Sequence, residues 1–182
     1  MKARKLEIHR KKGPKSAMKS GTLSQECYLD IETTGLNRRE DHISLIGVFH
    51  PCKGYVGLVG KFNKRNLLKE LTDVKRIYTF NGKSFDMHWI KDKLGLDLQN
   101  DEMFEHIDLR YVCKRHGLTG GQKAIENTIR LPRKSEIDGF EAAILGHRWL
   151  AHGDRNALKL LMEYNMEDVV NLWRLHKHIA RL

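Results

Sequence analysis

The sequence predicts one α/β domain with a five-stranded mixed sheet. Three strands form an antiparallel meander, the others run parallel, helices flank the sheet, and the C-terminal third is helical. Three observations carry this. The runs "HISLIGVFH" (42–50) and "GYVGLVG" (54–60) are apolar and separated only by residues 51–53, a hairpin link. Strand and helix patterns alternate after them. The last third of the chain reads as three successive helices by its apolar spacing and glycine punctuation.

In order, 26–32 is the first strand, and 42–50 and 54–60 complete the meander. A helix is expected at 62–72 and a strand, "KRIYTF", at 75–80. "NGKSFDMHWIKDKLG" reads as a turn and a helix capped by Ser84. "HIDLR" (106–110) is a fifth strand running into a helix at "YVCKRHG". Then come three helices: "GGQKAIENTIR", "GFEAAILGHRWLAHG", and a long one from Asn156 to the C-terminus. This order matches a ribonuclease-H-like sheet better than a dinucleotide-binding one, and no GxGxxG follows the first strand.

At 182 residues there is room for one substantial core. No apolar run approaches the roughly 18 residues of a membrane span, and the basic N-terminus has no apolar signal region. Three cysteines, Cys27, Cys52 and Cys113, without CxxC spacing fit a reducing, cytoplasmic setting. The net charge of +10 is uneven: residues 1–20 carry eight Lys/Arg against one Glu. We therefore divide the chain into a basic arm (1–22) and a domain (23–182). The arm suits contact with a phosphate backbone and equally a solvated tail, and its "KLEIH" could add an edge strand.

The acids are the informative residues. In "YLDIETTGL" (28–36), Asp30 and Glu32 share one strand face with Tyr28, about 6.5 Å apart along the backbone. Alone, the pair suits a strand face open to water. Asp86, at the start of a helix in "NGKSFD" (81–86), alone suits the helix dipole. Asp168 is different. It falls on the apolar stripe of the last helix with Leu161, Tyr164, Leu172 and Leu175, where an acid needs a partner. Four carboxylates converging would repel one another unless hard cations such as Mg²⁺ or Mn²⁺ joined them. Two such ions about 3.5–4 Å apart form the clamp for phosphodiester cleavage.

"DIE" (30–32), "NGKSFD" (81–86) and "YNMED" (164–168) together resemble the three motifs of the DEDD superfamily of 3′–5′ exonucleases, tyrosine branch. "LTGGQKAIE", "IDGFEAAILGHRWLAHGD" and "NALKLLMEYNMEDVVNL" resemble its YprB-type, ribonuclease-H-like group. The resemblance spans about residues 25–176 and leaves the arm outside. It implies 3′–5′ hydrolysis of nucleic acid to nucleoside 5′-monophosphates with two divalent ions. It also implies Asp30, Glu32, Asp86 and Asp168 as metal ligands and Tyr164 as the residue orienting the attacking water. Thr33, Thr34, Leu36 and Asn81 match positions that hold the terminal nucleotide. Phe85, beside Asp86, could stack on a base or pack in the core. The expected substrate is single-stranded DNA with a free 3′ end, in preference to RNA. A structure-specific endonuclease on the same fold and a nucleic-acid-binding module without turnover are the alternatives. The ten histidines form no HxxxH pair, and Trp89, Trp149 and Trp173 sit in apolar helical patterns that assign them to the core.

Overall fold

The computed structural model describes residues 4–14 and 25–182. The strands are β1 (Glu7–Lys11), β2 (Glu26–Thr33), β3 (Ile43–His50), β4 (Gly54–Val59), β5 (Arg76–Thr79) and β6 (Glu105–Asp108). The helices are α1 (Lys64–Glu70), α2 (Asp86–Leu94), α3 (Leu109–Arg115), α4 (Gln122–Thr128), α5 (Gly139–His152) and α6 (Arg155–Ile179). They build one mixed sheet in the order β1-β4-β3-β2-β5-β6. β1 to β2 pair antiparallel across that order, and β5 and β6 run parallel to β2. The short link at 51–53 suffices for the β3–β4 hairpin, whereas the parallel step from β4 back past β2 to β5 needs the α1 crossover.

The sheet has six strands where five were expected. The sixth is β1, from "KLEIH", bonded along β4 with Ile8 opposite Leu58. It is tied down further by Arg4, whose Nε donates to the Trp149 carbonyl at 3.1 Å and whose guanidinium lies 5.4 Å from the indole centre. The expected division at residue 22 falls outside the described residues, but β1 precedes it and belongs to the sheet. Ser84 is the second correction. The N-cap of α2 is Phe85, with no side-chain cap bond, so Ser84 does not cap this helix. A turn held by Asn81 and Gly82 carbonyls delivers the chain into α2 instead.

Side-chain alternation on β2 sorts two cores. Cys27, Leu29 and Ile31 pack with Leu67 of α1 and with Met87, Trp89 and Ile90 of α2. Tyr28 faces the other way, onto Phe49, Val169 and Leu172. The face that carries Asp30 and Glu32 is therefore largely covered, because α6 lies across β2 and β3, with Asp30 itself half-buried. Both long helices start on side-chain caps: Asp138 and Glu141 close a capping box on α5, and Asp154 caps α6. Between them Gly153 adopts φ 72°, the left-handed turn that reverses the chain. Among the described residues no helix is long and apolar enough to cross a membrane.

His50, at the end of β3, is buried, and burial pushes its imidazole down to about 4, with the Lys53 ammonium adding to the effect. The unfolded chain, near pKa 6.5, binds a proton there that the folded chain refuses. Stability is thus expected to fall as pH drops from about 6.5 towards 4. His50→Gln should flatten that limb in denaturant unfolding measured across the window.

Candidate metal centre and active-site cleft

At the C-terminal end of β2 a cleft of about 660 Å³ opens between β2, the α2 turn, α5 and α6. All ten residues singled out from the sequence line it: Asp30, Glu32, Asp86, Tyr164, Asp168, Thr33, Thr34, Leu36, Asn81 and Phe85. Strand alternation turns Asp30 and Glu32 towards α6, and the four-residue step on α6 stacks Tyr164 and Asp168 on the face that meets them.

Asp30, Glu32 and Asp168 each bring a carboxylate oxygen to within 4.8 Å of the others. Asp86 lies beside this triad and outside its tightest grouping. Its Oδ1 accepts from the Ile31 amide at 3.1 Å, which fixes the start of α2 against β2. Burial, reinforced by the neighbouring carboxylates, holds Asp30 and Glu32 well above the usual range. Burial pushes Asp86 up to about 7. It also raises Asp168, against the opposing pull of Arg133. These groups resist ionising together because their charges have little water to spread into. An oxygen-only donor set of this kind fits a hard divalent cation, whose charge would reverse the balance.

Neutral and cationic partners hold the acids in place. Asn165 Nδ2 donates to Asp30 Oδ2 at 2.9 Å and to Glu32 Oε1 at 3.2 Å. Arg133 bridges Asp168 to Glu126, which is fully buried, and Gln122 donates to both Glu126 and the Asp168 carbonyl. Glu167 accepts from the amides of Lys134 and Ser135, both at 2.8 Å, so residues 131–138 are pinned across α6. Tyr164 stands with the Lys123 ammonium 4.8 Å from its ring centre. Burial and the acids around it raise its phenol, which stays protonated at neutral pH.

The loop after β2 folds around Asp41. Thr34 Oγ1 donates to its carboxylate at 3.2 Å and the Asn37 amide at 2.9 Å. A Cβ on Gly35 would come within 2.3 Å of Asp41, so only glycine permits this approach. Leu36 is thrown outward, 84% exposed. On the opposite rim Asn81 takes φ 63°, with its amide on Asp108 at 2.8 Å and its side-chain oxygen on Arg110 at 2.6 Å. Phe85 is half-buried against Trp89 while lining the cleft, so it serves core and cleft together.

The sequence reading missed a whole wall. Phe140, Ala143, Ile144, His147 and Arg148 of α5 line the cleft. Phe140 is 74% exposed. They recur every three to four residues, opposite the buried stripe of Ala142, Leu145 and Trp149. That second apolar face was the available signal. Arg133 and Glu126 left none, since nothing in their spacing shows that they meet Asp168.

Residues 27–180 match the RNase_H superfamily, and the chain belongs to it. It is a superfamily of nuclease type. The structure is similar to the family B DNA polymerase of the hyperthermophilic archaeon Pyrobaculum calidifontis, with a TM-score of 0.66 at 16% identity. That match covers 85% of this chain and 24% of the polymerase, so the chain spans about a quarter of the polymerase's length. It is similar also to Brucella melitensis NrnC with bound Mg²⁺, at TM-score 0.60 and 19% identity, covering 87% of this chain and 73% of NrnC. NrnC bound to pGG gives 0.58 and 17%, covering 87% and 72%. Comparison with curated protein sequences gives no significant match.

Mg²⁺ or Mn²⁺ is expected to raise the melting temperature at neutral pH, and EDTA to reverse it. At a hundredfold excess over Kd the gain is about 2.7 kcal/mol. Asp30→Asn should stabilise the metal-free protein by relieving repulsion, yet remove the metal-induced shift. A variant that retains the full shift would remove Asp30 from the metal centre.

Proposed function

We propose that this protein is a metal-dependent 3′–5′ exonuclease that hydrolyses single-stranded nucleic acid to nucleoside 5′-monophosphates. The observation that carries the reading is the convergence of Asp30, Glu32 and Asp168 within 4.8 Å, with Asp86 alongside, in an open cleft with apolar walls. Asp30, Glu32, Asp86 and Asp168 are the ligands for two divalent ions, Mg²⁺ or Mn²⁺. Bound there, the ions would supply an activated water and charge for the leaving 3′ oxygen. The NrnC structures with Mg²⁺ and with pGG support metal and nucleic acid on this fold.

The chain's own residues do the rest. Tyr164, protonated and fixed between Lys123 and the acids, orients the attacking water by a hydrogen bond and does not act as a base. The Thr33–Thr34 turn and Asn81, locked by Asp41 and by Asp108 with Arg110, seat the terminal sugar. Leu36 and Phe140, both far more exposed than large apolar side chains usually are, take the terminal base between them, with Ile144 and Phe85 beneath. A base gripped on its faces must have left its helical stack, which favours single strands over duplexes. Basic residues near the cleft mouth, His147 and Arg148, face the outgoing backbone.

Oligonucleotides labelled separately at each end, offered as matched DNA and RNA single strands and duplexes with Mg²⁺ or Mn²⁺, test the reading. A ladder shortening from the 3′ end is expected, and the expected preference for DNA is read from the same gels. Discrete internal cuts would instead establish the endonuclease. Asp30→Ala and Asp168→Ala should reduce turnover to background while oligonucleotide binding survives. Phe140→Ala should raise KM for single strands by about 5- to 150-fold, the value of one stacked base, with kcat much less affected.

A further inference from the structure

Asn165 is fully buried, and its side-chain amide hydrogen-bonds to the two β2 acids and to one phenol. Its nitrogen donates to Asp30 Oδ2 at 2.9 Å and to Glu32 Oε1 at 3.2 Å, while its oxygen accepts from the Tyr55 hydroxyl at 3.1 Å. Tyr55 lies on β4, two strands away from β2. The Tyr55 phenol donates its one hydrogen to the amide oxygen, and ionised carboxylates can only accept, so the two sets of partners agree on one orientation of the amide. The nitrogen is then left facing both acids.

The sheet is cut to make room for this relay. Asp30 pairs with Gly47 on β3, and Gly47 with Gly57 on β4, so two glycines lie in line across the strands. A Cβ on Gly47 would fall 1.7 Å from Asn165 Oδ1, and one on Gly57 would fall 2.9 Å from the Tyr55 hydroxyl. Neither glycine has a positive φ, so backbone conformation does not require them. The space beside them is filled by Asn165 and Tyr55. Glycine inside a strand ordinarily weakens it and marks a close approach, and here the approach is that of the relay.

We propose that Asn165, oriented by Tyr55, is a positioning residue that sets the Asp30 and Glu32 carboxylates for the divalent cation; this rests on the metal-dependent reading above. An amide suits the task in a way a cation does not. Arg133 steadies Asp168 by opposing its charge, and so competes with a metal ion. Asn165 ties two carboxylates to one nitrogen and leaves their full negative charge for the ion. Partners that orient metal ligands in this way typically change metal affinity by about 10–100-fold when removed.

Mn²⁺ binding measured by calorimetry, without substrate, is the test. The wild type is compared with Asn165→Ala, with Tyr55→Phe, and with Val48→Ala, a buried residue of β3 on the opposite core. Circular dichroism checks that each is folded. Asn165→Ala should weaken Mn²⁺ binding by about 10–100-fold. Tyr55→Phe, which keeps the ring and removes only the orienting hydroxyl, should weaken it less but in the same direction. Both should recover kcat as Mn²⁺ is raised, whereas Val48→Ala should lower the melting temperature and leave Mn²⁺ affinity unchanged. Binding within twofold of wild type in both relay variants would overturn the proposal. So would a loss in Val48→Ala equal to theirs. A wild type that binds no Mn²⁺ would overturn the metal-dependent reading itself, and the proposal with it.

Discussion

The crowding of carboxylates at the end of β2 is the constraint on which the rest of this molecule turns. Asp30, Glu32 and Asp168 sit close together where water is scarce, and each makes the others harder to ionise. No surface placement would create that tension, since solvent would screen it. It arises because α6 crosses the very strand face that carries the two β2 acids. The helix that supplies the hydrophobic cover for Tyr28 and Phe49 also delivers Tyr164, Asn165 and Asp168. Folding and site assembly are therefore one event on this face.

Holding acids in such a place requires a shell of partners, and the shell is divided by charge type. On the α4 side, Arg133 and Glu126 form a buried ionic bridge that anchors Asp168. Removing Arg133 would leave Glu126 and Asp168 buried without their counter-charge, which is far more disruptive than replacing the whole bridge by matched apolar residues. On the sheet side the partners are neutral: the Asn165 amide, the Tyr55 hydroxyl and the Ile31 backbone. The rim loops follow the same logic, with Asp41 collecting the Asn37 amide and the Thr34 hydroxyl, and Asp108 the amides of Asn81 and Lys83, each to lock a turn. Rigid turns around an electrostatically strained centre are what a site needs if it is to meet a charged substrate without rearranging.

Most of the fold was legible in the sequence, because strand and helix periods are local properties. The meander, the β5–α2 passage and the long final helix lie where the apolar spacing put them. The clustering of the acids was legible for a related reason. Asp168 violates a local rule, an acid on an apolar stripe, and such violations point to a partner across the fold. Ser84 shows the limit. It is the kind of residue that caps a helix, but the turn from Asn81 places the cap one residue later. β1 shows another: its five residues are too short and too charged to distinguish a docked edge strand from a tail.

The sequence by itself determined which strand and helix faces are apolar, and so which acids would be forced inward. It also carried the three acidic motifs in order. Only the tertiary structure decided what surrounds them. That Phe140 and Leu36 face one cleft, that Arg133 reaches Asp168, and that Gly47 and Gly57 clear a path for Asn165 are all long-range facts. They depend on how α5 and α6 cross the sheet and on how α4 packs against α6. Crossing geometry is set by the packing of many side chains together, which no single window of sequence contains.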